Sequence, residues 1–176
     1  MLYVQQSLGP DEELVHVGKF HWMYTVSAFL AIFWGLVGAV MVIVAASYAY
    51  GFMDKIPAGT SVFQSIGILH PGIRIFSFLV FIFGLLRFAQ MMVVKATTEI
   101  AITSNRLVYK RGLIARHVGE INIDRIEGVN VLQSIFGRIF NFGRIMVRGM
   151  GVGEVLLPPI EDPVSFRRAI EKAKSM

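Results

Sequence analysis

Residues 97–159 decide the fold of this chain and read TTEIAITSNRLVYKRGLIARHVGEINIDRIEGVNVLQSIFGRIFNFGRIMVRGMGVGEVLLPP. Within this stretch, apolar residues recur at every second position in short runs, which is typical of β-strands that bury one face. Turn residues separate the runs, so the stretch predicts an antiparallel sheet of short strands. The pairs that share a face are Ile100 with Ile102, Leu107 with Tyr109, Ile121 with Ile123, Val129 with Val131, Ile145 with Val147, and Val155 with Leu157.

Two helical signals accompany the predicted strands. Residues 134–140 break the alternation, and their apolar side chains follow the spacing of a short helix. Asp162-Pro163 opens a final helix, because Asp caps free N–H groups and proline suits the first helical position. The buried stripe of that helix is predicted to be Phe166, Ala169, Ile170 and Ala173. A sheet closed by one C-terminal amphipathic helix is the outline of a pleckstrin-homology (PH) domain.

Two apolar stretches precede the predicted sheet. Residues 22–53 contain no charged side chain, and residues 75–94 contain only Arg87. A helix that spans a bilayer needs about 20 apolar residues, so either stretch is long enough. The whole chain is 55% hydrophobic and 16% charged, whereas soluble domains carry about 25% charged residues. The sequence therefore predicts an α+β membrane protein with two transmembrane helices.

The distribution of basic residues predicts the side of the membrane on which each part lies. Loops that face the cytoplasm carry an excess of Lys and Arg. The connector between the two helices and its flanks hold Lys55 and Arg74, whereas the other side holds Lys19, Lys95, Arg106, Lys110, Arg111 and Arg116. Both termini are therefore predicted to be cytoplasmic. We predict an N-terminal cytoplasmic segment at residues 1–21, a transmembrane anchor at residues 22–94 and a cytoplasmic domain at residues 95–176. The anchor contains an external connector at residues 51–72.

The N-terminal segment admits two interpretations. Val15 and Val17 would share one face of a short strand, with Leu14 and His16 on the other. The interpretation that we favour is an irregular lead-in to the first apolar helix. The alternative is an additional strand that pairs with the later sheet at the membrane surface.

Small residues recur every four positions along the first apolar stretch, at Ser27, Ala31, Gly35 and Ala39. Such a stripe lets a neighbouring backbone approach closely inside a membrane. It predicts packing against the second helix of the same chain. The alternative is contact with another protomer or a partner protein through Ala31, Gly35 and Ala39.

Arg87 and Gln90 are polar residues within the second apolar stretch. A charge at mid-bilayer costs at least about 2.5–3.5 kcal/mol. Arg87 precedes Lys95 by eight residues, about 12 Å along a helix, so its long side chain can extend to the headgroups. The alternative is a buried polar contact with the first helix or with a lipid phosphate.

These features together resemble the membrane-anchored bacterial PH domain family. The resemblance covers nearly the whole chain and rests on His21-Trp22, on the two apolar stretches, and on the segments TEIAITSNR, INIDRIEGV and QSIFGRIFNFG at residues 98–106, 121–129 and 133–143. It implies a PH-like β split barrel with a C-terminal capping helix, in a multi-pass protein of the bacterial cytoplasmic (inner) membrane. The family supplies no established ligand or reaction and no catalytic residues.

Catalytic and metal-binding chemistry has little support in the sequence. The chain has no cysteine, which excludes disulfides and thiolate chemistry. Its four histidines are scattered, without a pair at metal-ligand spacing, and no nucleophile has an obvious base partner. We therefore predict no enzyme activity, no metal, no cofactor, no nucleic-acid partner and no small-molecule substrate.

Two main functional hypotheses remain. The first is a protein-interaction or assembly module, which acts as an oligomer or as an accessory subunit of a membrane complex; its contact surface is the short helix, with Ile135, Phe136, Ile139 and Phe140. The second is binding of anionic lipid headgroups by the first hairpin, where each basic residue contributes about 1 kcal/mol near an anionic leaflet; the residues are Arg106, Lys110, Arg111 and Arg116. The interpretation that we favour for that basic cluster is topology retention and solubility. A third hypothesis, a transport or enzyme subunit, rests only on Arg87 and Gln90.

Overall fold

The computed structural model describes residues 2–57, 59–112, 117–151 and 153–175. The chain divides into two compact units, one made of Met1–Tyr24 with Val93–Met176 and the other of Thr25–Met92. In chain order the elements are α1 (Leu2–Ser7), β1 (Leu14–Gly18), α2 (Trp22–Phe52), α3 (Val62–Ile68), α4 (Pro71–Thr97), β2 (Glu99–Thr103), β3 (Arg106–Arg111), β4 (His117–Asn122), a 3₁₀ turn (Ile123–Arg125), β5 (Ile126–Leu132), α5 (Ile135–Ile139), β6 (Phe142–Gly149), β7 (Gly153–Leu156), β8 (Ile160–Glu161) and α6 (Pro163–Lys174).

The first unit contains two antiparallel sheets. The first sheet has the order β1-β2-β3-β4, and the second has the order β5-β6-β7 with β8 also paired to β6. Among the described residues no ladder joins β4 to β5 or β7 to β1, so the sheets are not closed into a barrel. The prediction of a split barrel is therefore confirmed only as an α+β fold with a PH-like sheet. The 3₁₀ turn at Ile123–Arg125 redirects the chain between the two sheets, where a regular hairpin would have continued the first ladder.

The core of this unit lies between the inner faces of the two sheets and α6. Ile102, Ile145 and Phe166 are completely buried there, together with Ile100, Leu107, Ile121 and other aliphatic residues. Full burial of one such side chain contributes roughly 1.5–3 kcal/mol. The helix α6 begins as the sequence predicts, because the Asp162 side chain accepts a hydrogen bond from the Ser165 N–H at 3.2 Å and Pro163 follows it.

The N-terminal segment belongs to the sheet. Strand β1 pairs antiparallel with β2, with His16 opposite Ile102 and Gly18 opposite Ile100, so the segment is a strand and not the irregular lead-in that we favour from sequence. Helix α1, which the sequence pattern does not predict, covers the outer face of the first sheet. There Val4 is buried against Ala101 and Val108.

The second unit consists of most of α2 and α4, joined by a connector that contains α3. Gly35 and Gly84 are both buried, and a Cβ added to Gly35 would lie 2.9 Å from the Gly84 Cα. The Ser77 hydroxyl donates a hydrogen bond to the Ala39 carbonyl at 2.8 Å. These contacts show that α2 and α4 pack closely in this unit.

Helices α2 and α4 are long and apolar enough to cross a membrane, and their most apolar stretches of 18 residues have mean hydropathies of 2.6 and 2.0. Only 17% of that stretch in α2 and 11% of that stretch in α4 is buried inside the protein. Helix α4 begins at Pro71, four residues before the predicted start of the span at residue 75, because the proline occupies the first helical position.

Candidate functional site

The candidate site is the connection between β5 and β6, which contains α5. Helix α5 is held in place by specific contacts at both ends. The Ser134 hydroxyl accepts a hydrogen bond from the Gly137 N–H at 3.1 Å. The Gln133 amide donates to the carbonyls of Gly137 at 3.3 Å and Phe142 at 3.2 Å. These bonds fix one face of the short helix against the start of β6.

Gly137 sits on that inward face, and the backbone requires a glycine there. A Cβ added to Gly137 would lie 2.6 Å from the Phe142 carbonyl oxygen. Asn141 follows with φ 54°, a left-handed conformation that asparagine tolerates better than most residues. The chain can therefore turn tightly from α5 into β6 while the rest of the helix points outward.

The outward face of α5 is apolar and exposed. The exposed fractions are 79% for Ile135, 66% for Phe136, 68% for Ile139 and 42% for Phe140. A five-residue helix has too few side chains to bury them against its own scaffold while Gly137 occupies the inward position. The structure thus brings together the four residues that the sequence assigns to the interaction surface.

Trp22 extends this apolar surface. Its ring is 54% exposed and meets the Phe140 ring edge-on, with centroids 5.9 Å apart. The neighbouring His21 is buried and stacks on Phe142, with centroids 5.1 Å apart. We define the α5 surface as Trp22, Ile135, Phe136, Ile139 and Phe140.

In the sequence, Trp22 contributes to the family resemblance, through the pair His21-Trp22, and nothing connects it with α5. The two segments are more than 110 residues apart, and no periodic pattern reports a contact of that separation. The available signal is the position of Trp22 at the start of the longest uncharged stretch.

Basic residues border the α5 surface. Arg138 lies in the last turn of α5, and Arg144 lies on β6 opposite Leu132; both are exposed. Within the described residues neither side chain forms an ion pair. Two acidic residues also lie near this border: Glu161 pairs in register with Phe142, and the Asp162 N–H donates to the Asn141 carbonyl. The border of the surface therefore contains two exposed arginines that form no ion pair, together with two acidic residues.

The basic hairpin that the sequence assigns to lipid binding has other partners for two of its four residues. Arg106 donates to Glu12 from Nε at 2.9 Å and from Nη2 at 2.8 Å, and to Glu120 from Nη1 at 2.8 Å. Lys110 donates to Glu99 at 3.0 Å, and only 14% of its side chain is exposed. These pairs occupy the charges of Arg106 and Lys110 within the domain.

The remaining two residues of that hairpin differ in what the structure describes. Arg111 is exposed at the end of β3, and Arg116 lies outside the described residues. Of the four residues of the lipid-binding hypothesis, the described part of the chain therefore leaves one, Arg111, open to solvent and without an ion pair.

The carboxylates of these pairs have depressed pKa values. Burial acts to raise the pKa of Glu12, but hydrogen bonds from Arg106, Thr103 and the Gly9 N–H outweigh it and lower the pKa from 4.5 to about 2. Burial likewise acts to raise the pKa of Glu99, and the Lys110 ammonium and a backbone N–H lower it. Both groups stay ionised at neutral pH and act as structural anions.

The small-residue stripe of α2 faces α4 of the same chain. Gly35 and Ala39 are buried, and the Ala31 carbonyl would lie 2.7 Å from a Cβ added to Gly84. In the structure the stripe thus packs against α4 of the same chain, and contact of Ala31, Gly35 and Ala39 with a partner stays a prediction.

Arg87 and Gln90 contact each other along the exposed side of α4. The Arg87 guanidinium donates to the Gln90 side-chain oxygen at 2.8 Å, and both residues are exposed. An apolar groove of about 300 Å³ beside Arg87 is lined mainly by residues of the helix crossing, such as Gly35 and Gly84. The guanidinium is thus placed on the surface and not in a buried polar contact with α2.

The described residues contain no grouping suited to metal binding. In residues 2–57, 59–112, 117–151 and 153–175, no three His, Asp or Glu side chains lie close enough together to hold an ion. Every buried side-chain nitrogen or oxygen in that part of the chain has a hydrogen-bond partner. The buried polar side chains of the described residues are therefore all paired within the fold.

Comparison with known proteins identifies one family. The model of a family described as "Bacterial PH domain" matches residues 13–174. No curated protein and no solved structure matches the chain. The matched range includes β1, both apolar helices and the two sheets, so it extends over both compact units.

Proposed function

This chain belongs to the bacterial PH domain family, and from that premise we propose that it is a non-enzymatic integral membrane protein whose PH domain is an interaction module. The α5 surface is its contact surface. The observation that carries the proposal is the exposure of Ile135, Phe136 and Ile139, which lies between 66% and 79%. Each such side chain contributes roughly 1.5–3 kcal/mol when a partner buries it fully.

The apolar helices support membrane integration. Helices α2 and α4 expose Phe33, Trp34, Phe83 and many other large apolar side chains. A soluble protein rarely exposes contiguous apolar surface of this extent, whereas a bilayer accommodates it. The bias of Lys and Arg supports a multi-pass protein of the bacterial cytoplasmic membrane with both termini in the cytoplasm.

The proposed module acts through assembly and not through catalysis. In the described residues every buried side-chain nitrogen or oxygen has a hydrogen-bond partner. Of the carboxylates with lowered pKa values, Glu12 and Glu99 are held in ion pairs and Asp162 caps α6. The contact surface is apolar, so a partner must offer an apolar surface at the same distance from the membrane. Further copies of this chain, a membrane complex of which it is an accessory subunit, and the membrane itself are the available classes of partner.

The test uses the full chain in native membranes. A photoreactive benzoylphenylalanine replaces Phe136 in one variant and Met150 in the matched control, since Met150 is 57% exposed in the turn between β6 and β7. We expect strong adducts from position 136 and weak adducts from position 150, in protein that resists extraction by alkaline carbonate. Release by carbonate would refute membrane integration, and equal adduct yields at the two positions would refute the contact surface.

A further inference from the structure

We propose that the partner of the α5 surface is the lipid bilayer itself, and that α5 inserts its apolar side chains into the membrane that α2 enters. This inference rests on the proposed function, because it requires α2 to span a membrane. It assigns lipid contact to Trp22, Ile135, Phe136, Ile139 and Phe140. The basic hairpin of β3 has no part in it.

The position of Trp22 is the first argument. Trp22 is the first residue of α2 and follows Lys19 by three residues. If α2 spans the bilayer, its first turn lies at the interface between headgroups and acyl chains, where tryptophan is enriched. Phe140 contacts the Trp22 ring at a centroid distance of 5.9 Å. This contact places the C-terminal end of α5 beside the first residue of α2.

The chemistry of the surface is the second argument. Interfacial helices combine bulky aliphatic and aromatic side chains on one face with basic residues beside them. The α5 surface consists of two isoleucines, two phenylalanines and a tryptophan, and Arg138 and Arg144 border it. Neither arginine forms an ion pair within the described residues, so both are available to lipid phosphates. This arrangement matches an anionic leaflet.

The size of the surface favours lipid over protein. A stable protein interface uses about 20–30 residues on each side. The α5 surface offers five apolar side chains and two arginines. That set is small for a protein interface, but it is sufficient for insertion of one helical turn to roughly 5–10 Å into the headgroup and acyl boundary.

The fixed orientation of α5 on the domain is consistent with insertion into the membrane. Ser134, Gln133 and the close approach of Gly137 to the Phe142 carbonyl hold the short helix in one orientation. No loop has to reorder before the side chains reach lipid, so insertion costs little conformational entropy.

The test is quenching of tryptophan fluorescence by brominated lipid. The chain has two tryptophans, Trp22 and Trp34, and their replacement by Phe gives a background without tryptophan. Phe136→Trp and the matched control Met150→Trp each place one reporter in that background. The full chain is reconstituted in nanodiscs of phosphatidylethanolamine and phosphatidylglycerol, with or without bromine on the upper acyl chain.

We expect bromine to quench the reporter at position 136 several-fold more than the reporter at position 150. Ile139→Trp in the same background repeats the measurement with a second position of the surface, and circular dichroism checks that every variant is folded. Quenching at position 136 that is equal to or weaker than quenching at position 150 overturns the inference, since it shows no preference of the lipid for α5.

The crosslinking experiment separates this inference from the proposed function. Lipid adducts from position 136 in native membranes support both. Protein adducts there, together with an unquenched reporter in nanodiscs, overturn the lipid assignment but retain the α5 surface as the contact surface. An absence of adducts above the control overturns both.

Discussion

Arg106 binds Glu12 through two parallel hydrogen bonds, with Nε 2.9 Å from Oε1 and Nη2 2.8 Å from Oε2. The Thr103 hydroxyl donates to the same Glu12 carboxylate at 2.6 Å, and only 4% of the Glu12 side chain is exposed. Arg106 also donates to the Ser7 carbonyl at 2.6 Å. This cluster ties the N-terminal segment to the hairpin of β2 and β3, across 94 residues of sequence.

The Glu12 carboxylate makes the stability of the first unit dependent on pH. Its pKa is lowered from 4.5 to about 2, so its contribution is complete above pH 4.5 and is lost as the pH falls towards 2. We expect Glu12→Gln to lower the free energy of unfolding by about 2 kcal/mol at neutral pH, because Arg106 loses its buried partner. The loss is smaller than for a fully buried pair, since 25% of the Arg106 side chain is exposed and Glu120 remains bound to it. The measurement is thermal or denaturant unfolding of the detergent-solubilised chain at several pH values.

Glu13→Gln is the matched control for that variant, since Glu13 is exposed one residue further on and forms no ion pair among the described residues. We expect its unfolding curves to follow those of the wild type. The difference between wild type and Glu12→Gln should shrink as the pH falls from 4.5 towards 2. A difference that stays constant over that range would show that the carboxylate charge is not its source.

We expect the PH domain to require the N-terminal residues in order to fold. Strand β1 pairs with β2 through Val17 and Gly18, and His16 meets the Phe166 ring edge-on at 5.6 Å. A fragment of residues 95–176 would expose the edge of β2 and part of the core around Phe166. We expect it to lack a cooperative unfolding transition, and we expect a fusion of residues 2–20 to that fragment through a Gly-Ser linker to regain one.

Circular dichroism and the dispersion of amide NMR signals measure both proteins. A cooperative transition in the fragment alone would contradict the assignment of β1 to the domain. An additional variant of the fusion, Glu12→Gln, should melt below the unaltered fusion, because the same ion pair holds the N-terminal residues in place.

Local patterns in the sequence are sufficient to predict most of the helices and strands. Alternation at Ile100 and Ile102 reports a strand with one buried face, and Asp162-Pro163 reports the start of α6, because the causes lie within a few residues. Helix α1 has six residues and no clear periodicity. Its place on Ala101 and Val108 depends on a contact across about 100 residues, which no local pattern encodes.

The same distinction applies to the candidate site. The break in alternation at residues 134–140 predicts a contact surface at Ile135, Phe136, Ile139 and Phe140. These four side chains are exposed in the structure, and their contact with a partner stays a prediction. The sequence also shows that Arg106 is basic, but it does not show Glu12 beside it, so the charge looks available for lipid. The contact of Trp22 with Phe140 is equally long-range and emerges only from the fold.

Gly137 allows α5 to pack closely against the start of β6. A Cβ at this position would lie 2.6 Å from the Phe142 carbonyl oxygen, so Gly137→Ala must displace α5 or the start of β6. We expect a loss of about 1–3 kcal/mol in the free energy of unfolding, as for overpacking of a close contact. Without the clash, Ala would stabilise the helix by up to about 1 kcal/mol relative to Gly, so the sign of the change is decisive.

Gly128→Ala is the control for Gly137→Ala, because no atom lies within 4 Å of a Cβ added there. We expect its free energy of unfolding to equal or exceed that of the wild type. In nanodiscs, the Phe136→Trp reporter should also shift its emission when Gly137→Ala is added, since α5 moves. Equal stability of the two glycine variants would contradict the close approach at Gly137.

Gly84 sets the distance between α2 and α4 within the second unit. A Cβ added to Gly84 would lie 2.7 Å from the Ala31 carbonyl oxygen and 2.8 Å from the Gly35 Cα, and both of these are rigid backbone atoms. Gly84→Ala must therefore separate the helices and weaken the hydrogen bond from Ser77 to the Ala39 carbonyl. We expect a loss of about 1–3 kcal/mol, measured as a lower melting temperature of the chain in detergent.

Gly67→Ala gives the opposite expectation, because Gly67 lies on α3 and no atom lies within 4 Å of its added Cβ. The gain in helix propensity, up to about 1 kcal/mol, should raise the melting temperature or leave it unchanged. Helices in lipid associate through close packing and not through the hydrophobic effect, so the same pair of variants should differ in nanodiscs as well. A melting temperature for Gly84→Ala at or above that of the wild type would show that α2 and α4 do not depend on the contact between Gly35 and Gly84.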